Sequence, residues 1–177
     1  MRLLHKNQKG FTLIELLIVV AIFAVVAVAA NAVIVQIVQS NRTSNHMVAV
    51  RQVQQAGYWM NRDGVQAQSI TLGENGGFPL TLNWTTWTSL KGREVHKVVY
   101  NLTPAGELYQ LERKETVFVN TTETVTGPAP VAQYIEPPDS TNCRWNATAG
   151  VLTLNVTAKV DLQTASRTYE IKPRPSV

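Results

Sequence analysis

Residues 11–38, FTLIELLIVVAIFAVVAVAANAVIVQIV, form an apolar run that only Glu15, Asn31 and Gln36 interrupt seriously. About 20 apolar residues at 1.5 Å rise cover the roughly 30 Å of a bilayer core, so the run is long enough to span one. Beyond it the period changes. Val50, Val53, Gly57, Met60, Gly64 and Ala67 recur at gaps of three and four, with Arg51, Gln54, Gln55, Arg62 and Gln66 on other faces. That is the pattern of an amphipathic helix with one modest apolar stripe. No proline occurs before Pro79 and nothing near residue 40 forces a break, so the pattern predicts one helix from about residue 11 to about residue 69, roughly 85 to 90 Å at the same rise. Half of it must project beyond a bilayer. Gly57 and Gly64 each weaken a helix by about 1 kcal/mol, which makes sense if they lie on the buried stripe and let a sheet approach closely. A kink or helix end near Gly57 is the competing reading.

After Gly73-Glu74-Asn75-Gly76-Gly77 the composition shifts to Thr, Val, aromatic residues and turn formers, which is strand chemistry. The predicted strands are Leu80 to Trp87, Glu94 to Leu102, Glu107 to Arg113, Thr116 to Asn120, Thr141 to Asn146, Val151 to Val160 and Arg167 to Lys172. Thr103-Pro104-Ala105-Gly106 reads as a tight hairpin connection. Leu152, Leu154, Val156, Ala158 and Val160 alternate with Thr153, Asn155, Thr157 and Lys159, so one face is buried and the other wet, as in an antiparallel sheet. Gly127-Pro128-Ala129-Pro130 and Glu136-Pro137-Pro138-Asp139 read as loops.

Composition narrows the function classes. At 177 residues and 45% apolar content the chain has room for one domain with an appendage and is not disordered. The net charge of +4 raises the question of nucleic acid, but three of the sixteen basic residues, Arg2, Lys6 and Lys9, precede the apolar run. Without residues 1–10 the chain has 13 basic against 12 acidic residues, a net of +1. The basic signal belongs to the leader, where it holds a segment on the cytoplasmic side, and no nucleic-acid site is evident. Cys143 is the only cysteine, which excludes an intrachain disulfide and a cysteine-based zinc site.

No catalytic constellation appears. His5, His46 and His96 fall in the leader, on the projecting helix and in a strand, each read as a solvated or packed histidine, and no HExxH, GxSxG or P-loop pattern occurs. Glu136 and Asp139 are two candidate calcium ligands, short of the six to eight or so oxygens that ion takes. Six Asn-x-Thr triplets, beginning at Asn41, Asn83, Asn101, Asn120, Asn146 and Asn155, arise by chance in a Thr-rich β domain. Trp84, Trp87 and Trp145 form either a partner patch or, more commonly for tryptophan in a small β domain, part of the core. The reading is non-enzymatic, with no cofactor and no metal.

Glu15 is the informative residue. A carboxylate inside an apolar span costs about 2.5 kcal/mol or more at the centre and less near an end, and no lysine or arginine lies between residues 10 and 41 to pair with it. If the chain were cut after Gly10, the new α-amine of Phe11 would supply a positive charge at the same depth, in this molecule or a neighbour. Glycine suits such a cut, since without a Cβ its backbone enters a narrow peptidase site. Alternatively Glu15 reaches the interface without a partner.

Lys9-Gly10-Phe11-Thr12-Leu13-Ile14-Glu15, followed by the apolar helix, closely resembles the class III signal of bacterial type IV pilins and type II secretion pseudopilins. The resemblance implies cleavage between Gly10 and Phe11 by prepilin peptidase, N-methylation of Phe11, and a role for Glu15 in docking each subunit into a fibre. It also implies other pilin or pseudopilin subunits, an inner-membrane assembly platform and the lipid bilayer as partners. The distal half, with Arg51, Gln52, Val53, Gln55, Ala56 and Arg62-Asp63 on the helix and the late strand, is similar to minor pilins and J-type minor pseudopilins. Two departures from many major pilins favour a minor pilin or pseudopilin: the chain has neither a helix-bending proline near the span nor a C-terminal cysteine pair.

The expected fold is therefore α+β and pilin-like, a long N-terminal transmembrane and amphipathic helix packed on a small antiparallel β-sheet domain. Its expected parts are a leader at 1–10, a transmembrane half-helix at 11–38, an amphipathic half at 39–69 and an extracytoplasmic β domain at 70–177. The leader would be cytoplasmic and the span single-pass. Two rivals stand beside the filament subunit. Ala27-Val28-Ala29 and Ala30-Asn31-Ala32 are patterns that signal peptidase I cuts, giving an exported β-domain binding module; an uncleaved anchor for such a module is the other.

Overall fold

A computed structural model describes residues 12–89, 92–120 and 122–174. The chain divides into two compact units, residues 1–42 and 43–177. Helix α1, Leu13–Gly64, supplies the described secondary structure of the first unit and one layer of the second.

In the second unit eight antiparallel strands form one curled sheet. They are β1 (Ser69–Gly73), β2 (Gly77–Thr88), β3 (Gly92–Ala105), β4 (Leu108–Val119), β5 (Thr122–Ile135), β6 (Asn142–Asn146), β7 (Val151–Val160) and β8 (Gln163–Ile171). The spatial order is β1-β2-β3-β4-β5-β7-β6, with β8 on the other side of β7. β5 joins β7 through the single pair Ile135 and Ala158. The sheet curls far enough that the Cys143 N–H of β6 donates to the Gly76 carbonyl beside β2 at 2.7 Å. The α+β, pilin-like layout expected from the pattern is the one observed.

The core lies between the sheet and residues 49–64 of α1. Ala49, Val53, Ala56 and Met60 pack with Leu80, Leu82, Val98, Tyr100, Leu111, Ile135 and Ile171, and β7 contributes Leu152, Leu154, Val156 and Ala158, all buried. The alternation in β7 is thus the core-facing side of a half-wet strand. Both helix glycines lie under β8. A Cβ on Gly57 would overlap the ring of Tyr169, and one on Gly64 would lie 2.9 Å from Cγ2 of Ile171. Their lack of a side chain is what seats the strand on the helix.

Several elements differ from the sequence expectation. The helix ends at Gly64, not near residue 69, because its final carbonyls are taken by short-range bonds, Gln66 N–H to Asp63 and Ala67 N–H to Gly64, both 3.2 Å. Gln68 N–H then donates to Asn83, and β1 follows. Ala67 stays buried, so the apolar period continues past the helix itself. The two strands expected over 107–120 are one, β4, which pairs with β3 from Glu94 and Val119 to Ala105 and Leu108. Gly127-Pro128-Ala129-Pro130 lies within β5 and not in a loop. β5 pairs with β4 along its length through register shifts and touches β7 only at Ile135, and prolines are tolerated on such an edge. The hairpin near Pro104 is present, with Gly106 at φ 71° in its turn.

Candidate functional site

Among the described residues, polar groups that bear on function gather at the start of α1 and at the seam between α1 and the sheet. At the first, Thr12 precedes the helix and Glu15 is its third residue. The Thr12 N–H donates to Glu15 Oε2 at 3.0 Å, its hydroxyl donates to the same oxygen at 2.9 Å, and the Glu15 N–H approaches Thr12 Oγ1 at 3.4 Å. This is a capping box: the threonine and the glutamate each satisfy a backbone N–H the first turn cannot bond internally. The Thr-x-x-Glu spacing is readable in the sequence, yet the cap is a role apart from the two the sequence suggests for Glu15, pairing with a cation or reaching the interface unpartnered. Gly10 and Phe11, the expected cleavage and methylation residues, lie outside the described residues. Glu15 therefore appears here with Thr12, and pairing with an amine at residue 11 is a matter of function.

From Leu16 to Val38 the helix presents a largely apolar surface. Leu13, Phe23, Val25 and Val28 are each more than 70% exposed, and α1 is long and apolar enough to cross a membrane. Such a surface is far beyond what a soluble monomer leaves in water. It anchors the chain in a bilayer.

The seam is a buried charge network that sequence reasoning missed. Asp63, near the end of α1, is 1% exposed. Its carboxylate accepts the Tyr100 hydroxyl of β3 at 2.6 Å, Arg113 Nε of β4 at 2.6 Å and Arg113 Nη2 at 3.3 Å. Arg62 Nε adds a bond at 3.2 Å, and Arg113 Nη2 continues to Glu115 at 2.9 Å. Burial, and then the negative charge of Asp63, push the Tyr100 phenol above its ordinary range. For Arg113 burial acts against the charge, but the hydrogen bonds and charges of Asp63 and Glu115 override it and raise the pKa. Arg62 and Arg113 also approach the Trp59 ring, at 4.0 and 5.2 Å from its centroid. With every charge answered, the network acts as a structural fastener.

His96 extends it. Its ring stacks on Trp84 at 5.1 Å, Nε2 contacts Thr86 Oγ1 at 3.0 Å, and Nδ1 contacts Glu115 at 3.2 Å. It is a packed histidine. His46 is exposed on the helix, and His5 lies outside the described residues. The tryptophans divide: Trp84 is core, Trp145 is partly buried against it, and Trp87 is 77% exposed. Cys143 is buried, and burial pushes its thiol up to about 12, so it is no nucleophile near neutrality. Among the described residues no group of three His, Cys, Asp or Glu is placed to hold a metal; Glu136 and Asp139 gain no third ligand.

An exposed apolar helix capped by Thr12 and Glu15 and continued into a curled antiparallel sheet defines a membrane-anchored α+β protein of pilin-like layout. Residues 5–31 match the family model described as the prokaryotic N-terminal methylation motif. The matched segment carries the prepilin-type signal, and together with the α+β layout it supports a likeness to the type IV pilin and pseudopilin family. No curated protein and no solved structure matches it significantly.

Proposed function

We propose that the chain is a minor pilin or pseudopilin, stored in the cytoplasmic membrane and built into a type IV pilus or a secretion- or competence-type filament after its leader is removed. The observation that carries this reading is the methylation motif over residues 5–31, which brackets Gly10, Phe11 and Glu15. Prepilin peptidase cuts between Gly10 and Phe11, and Phe11 is N-methylated. Residues 1–10 are then the leader, 11–38 the membrane and assembly half of the helix, 39–64 its amphipathic continuation, and the strands from Ser69 onward the extracytoplasmic domain. Arg2, Lys6 and Lys9 favour a cytoplasmic leader. In the filament the Ala-rich helix packs against neighbouring subunits, and Glu15 pairs with an N-terminal amine. The lack of a C-terminal cysteine pair and of a proline near the span supports a minor subunit over a major one.

Intact mass and N-terminal peptide mapping of protein from its native membranes test this. A mature chain beginning at methylated Phe11 is the expected result. A chain beginning at Ala30 or Val33 would make it a secreted β module, and an intact Met1 leader beside active peptidase would make it a fixed anchor. Either result would sink the filament reading.

A further inference from the structure

Between Glu15 and Gln36 the span has one polar side chain, Asn31. Measured from the midpoint of that stretch at 1.5 Å per residue, Asn31 lies about 8 Å from the bilayer centre, inside a hydrocarbon half-thickness of about 15 Å. An asparagine amide offers two N–H donors and one acceptor oxygen. In the structure Nδ2 donates to the Ala27 carbonyl one turn back at 2.8 Å, and the side chain is otherwise exposed on the helix surface. That is its one hydrogen bond among the described residues. One N–H and the oxygen therefore face hydrocarbon, which supplies neither donor nor acceptor, and leaving them so is costly.

Their partner must come from another membrane helix, at the same depth. Every copy of this chain carries the same leader charges and inserts with the same polarity, so two copies lie parallel with their Asn31 residues level. An amide is its own complement: the free N–H of one copy meets the oxygen of the other, and the reverse. The residues sharing the face of Asn31, one and two turns away, are Ala24, Ala27, Val28, Ile34, Val35 and Val38. Alanine at 24 and 27 lets two backbones come close enough for short side chains to bond across, and the valines pack beyond.

We propose that two copies of this chain pair in the membrane through reciprocal Asn31 to Asn31 hydrogen bonds, a storage form that precedes assembly. The inference rests on the membrane-anchored reading above and on no later step of processing. Leucine at this position would fill the same face but satisfy no amide; glutamine would keep the amide on a longer arm.

The test uses the full uncleaved chain. Sedimentation equilibrium in density-matched zwitterionic micelles reads self-association, and resistance to alkaline extraction from phosphatidylcholine vesicles reads insertion. The wild-type chain is expected to insert and dimerise. Asn31→Leu should insert equally, keep its near-UV circular dichroism and dimerise about 3- to 30-fold more weakly, the range expected for an interhelical hydrogen bond. Asn31→Gln should lose less than Asn31→Leu. A wild-type monomer, or an Asn31→Leu dimer as tight as wild type, overturns the pairing while leaving the membrane reading intact. A chain extracted at alkaline pH overturns the membrane reading, and the pairing with it.

Discussion

Arg113 and Asp63 are fifty residues apart in the chain, yet Nε of one lies 2.6 Å from Oδ2 of the other, with Asp63 1% and Arg113 8% exposed. The pair ties the last turn of α1 to β4, and the Tyr100 hydroxyl on the same carboxylate ties it to β3. A buried ion pair of this kind adds little net stability over an apolar replacement, but losing one member strands the other.

Arg113→Met is therefore expected to destabilise the second unit by about 3–5 kcal/mol, because Asp63 is left charged and buried. Combining it with Asp63→Leu should recover part of that loss, although the Tyr100 hydroxyl then lacks its acceptor. Tyr100→Phe alone should cost about 1–2 kcal/mol. Urea titration followed by near-UV circular dichroism measures all three. A double variant less stable than Arg113→Met would show that the pair contributes more than mutual neutralisation.

Gly57→Ala removes a helix penalty of about 1 kcal/mol but drives a methyl group into the Tyr169 ring, which is held by a hydrogen bond from its hydroxyl to the Val53 carbonyl at 3.1 Å. Overpacking of this kind costs about 1–3 kcal/mol, so net destabilisation is expected. It should shrink in a Tyr169→Ala background, where the ring is gone. Equal effects in both backgrounds would remove Tyr169 as the reason for glycine at 57.

Glu15 has two separable jobs, capping the helix and carrying a charge. Glu15→Ala should leave leader cleavage largely intact but block incorporation into filaments. Glu15→Gln keeps an acceptor for the Thr12 N–H and hydroxyl and loses only the charge. Under the charge-pairing proposal it fails to assemble as Glu15→Ala does. Immunoblots of sheared filaments against cell fractions give the ratio, and normal incorporation of Glu15→Gln would reduce the role of Glu15 to capping. Thr12→Ala isolates the other half of the cap and should weaken the helix start by about 0.5–2 kcal/mol.

The stability of the β domain should fall at alkaline pH. The Cys143 thiol is pushed up to about 12 and the Tyr100 phenol is raised above its ordinary 10.0, whereas both titrate near ordinary values once unfolded. The folded state then holds more protons, so stability is fully present below about pH 9 and is lost as pH rises toward the folded-state values. Each group contributes a slope of about 1.4 kcal/mol per pH unit while it is ionised only in the unfolded chain. In Cys143→Ala the onset should move from about pH 9 to about pH 10, and Tyr100→Phe should flatten the steeper part above it. An unchanged onset in urea titrations across this range would show that the thiol is not shielded as its burial implies.

The membrane segment, the prepilin-type signal and the α+β class were legible in the sequence because each is local and one-dimensional. An uninterrupted apolar run, a basic leader and one carboxylate at a set offset need no folded partner to be recognised, and the alternation through Leu152 to Ala158 reports a half-buried strand by its period alone. The glycines at 57 and 64 were legible too, since they fall on the apolar stripe. Pairing was not. β4 read as two strands and the Gly127 to Pro130 stretch of β5 as a loop, because local propensity does not register an uninterrupted ladder with β3 or an edge that tolerates proline. Asp63 lies seven residues beyond Ala56, on the stripe that includes Ala49, Val53 and Met60, yet a lone carboxylate there looks solvent-facing. Only the long-range pairing of β3 with β4 brings Tyr100 and Arg113 to it, and a charge can be buried only where such partners meet it.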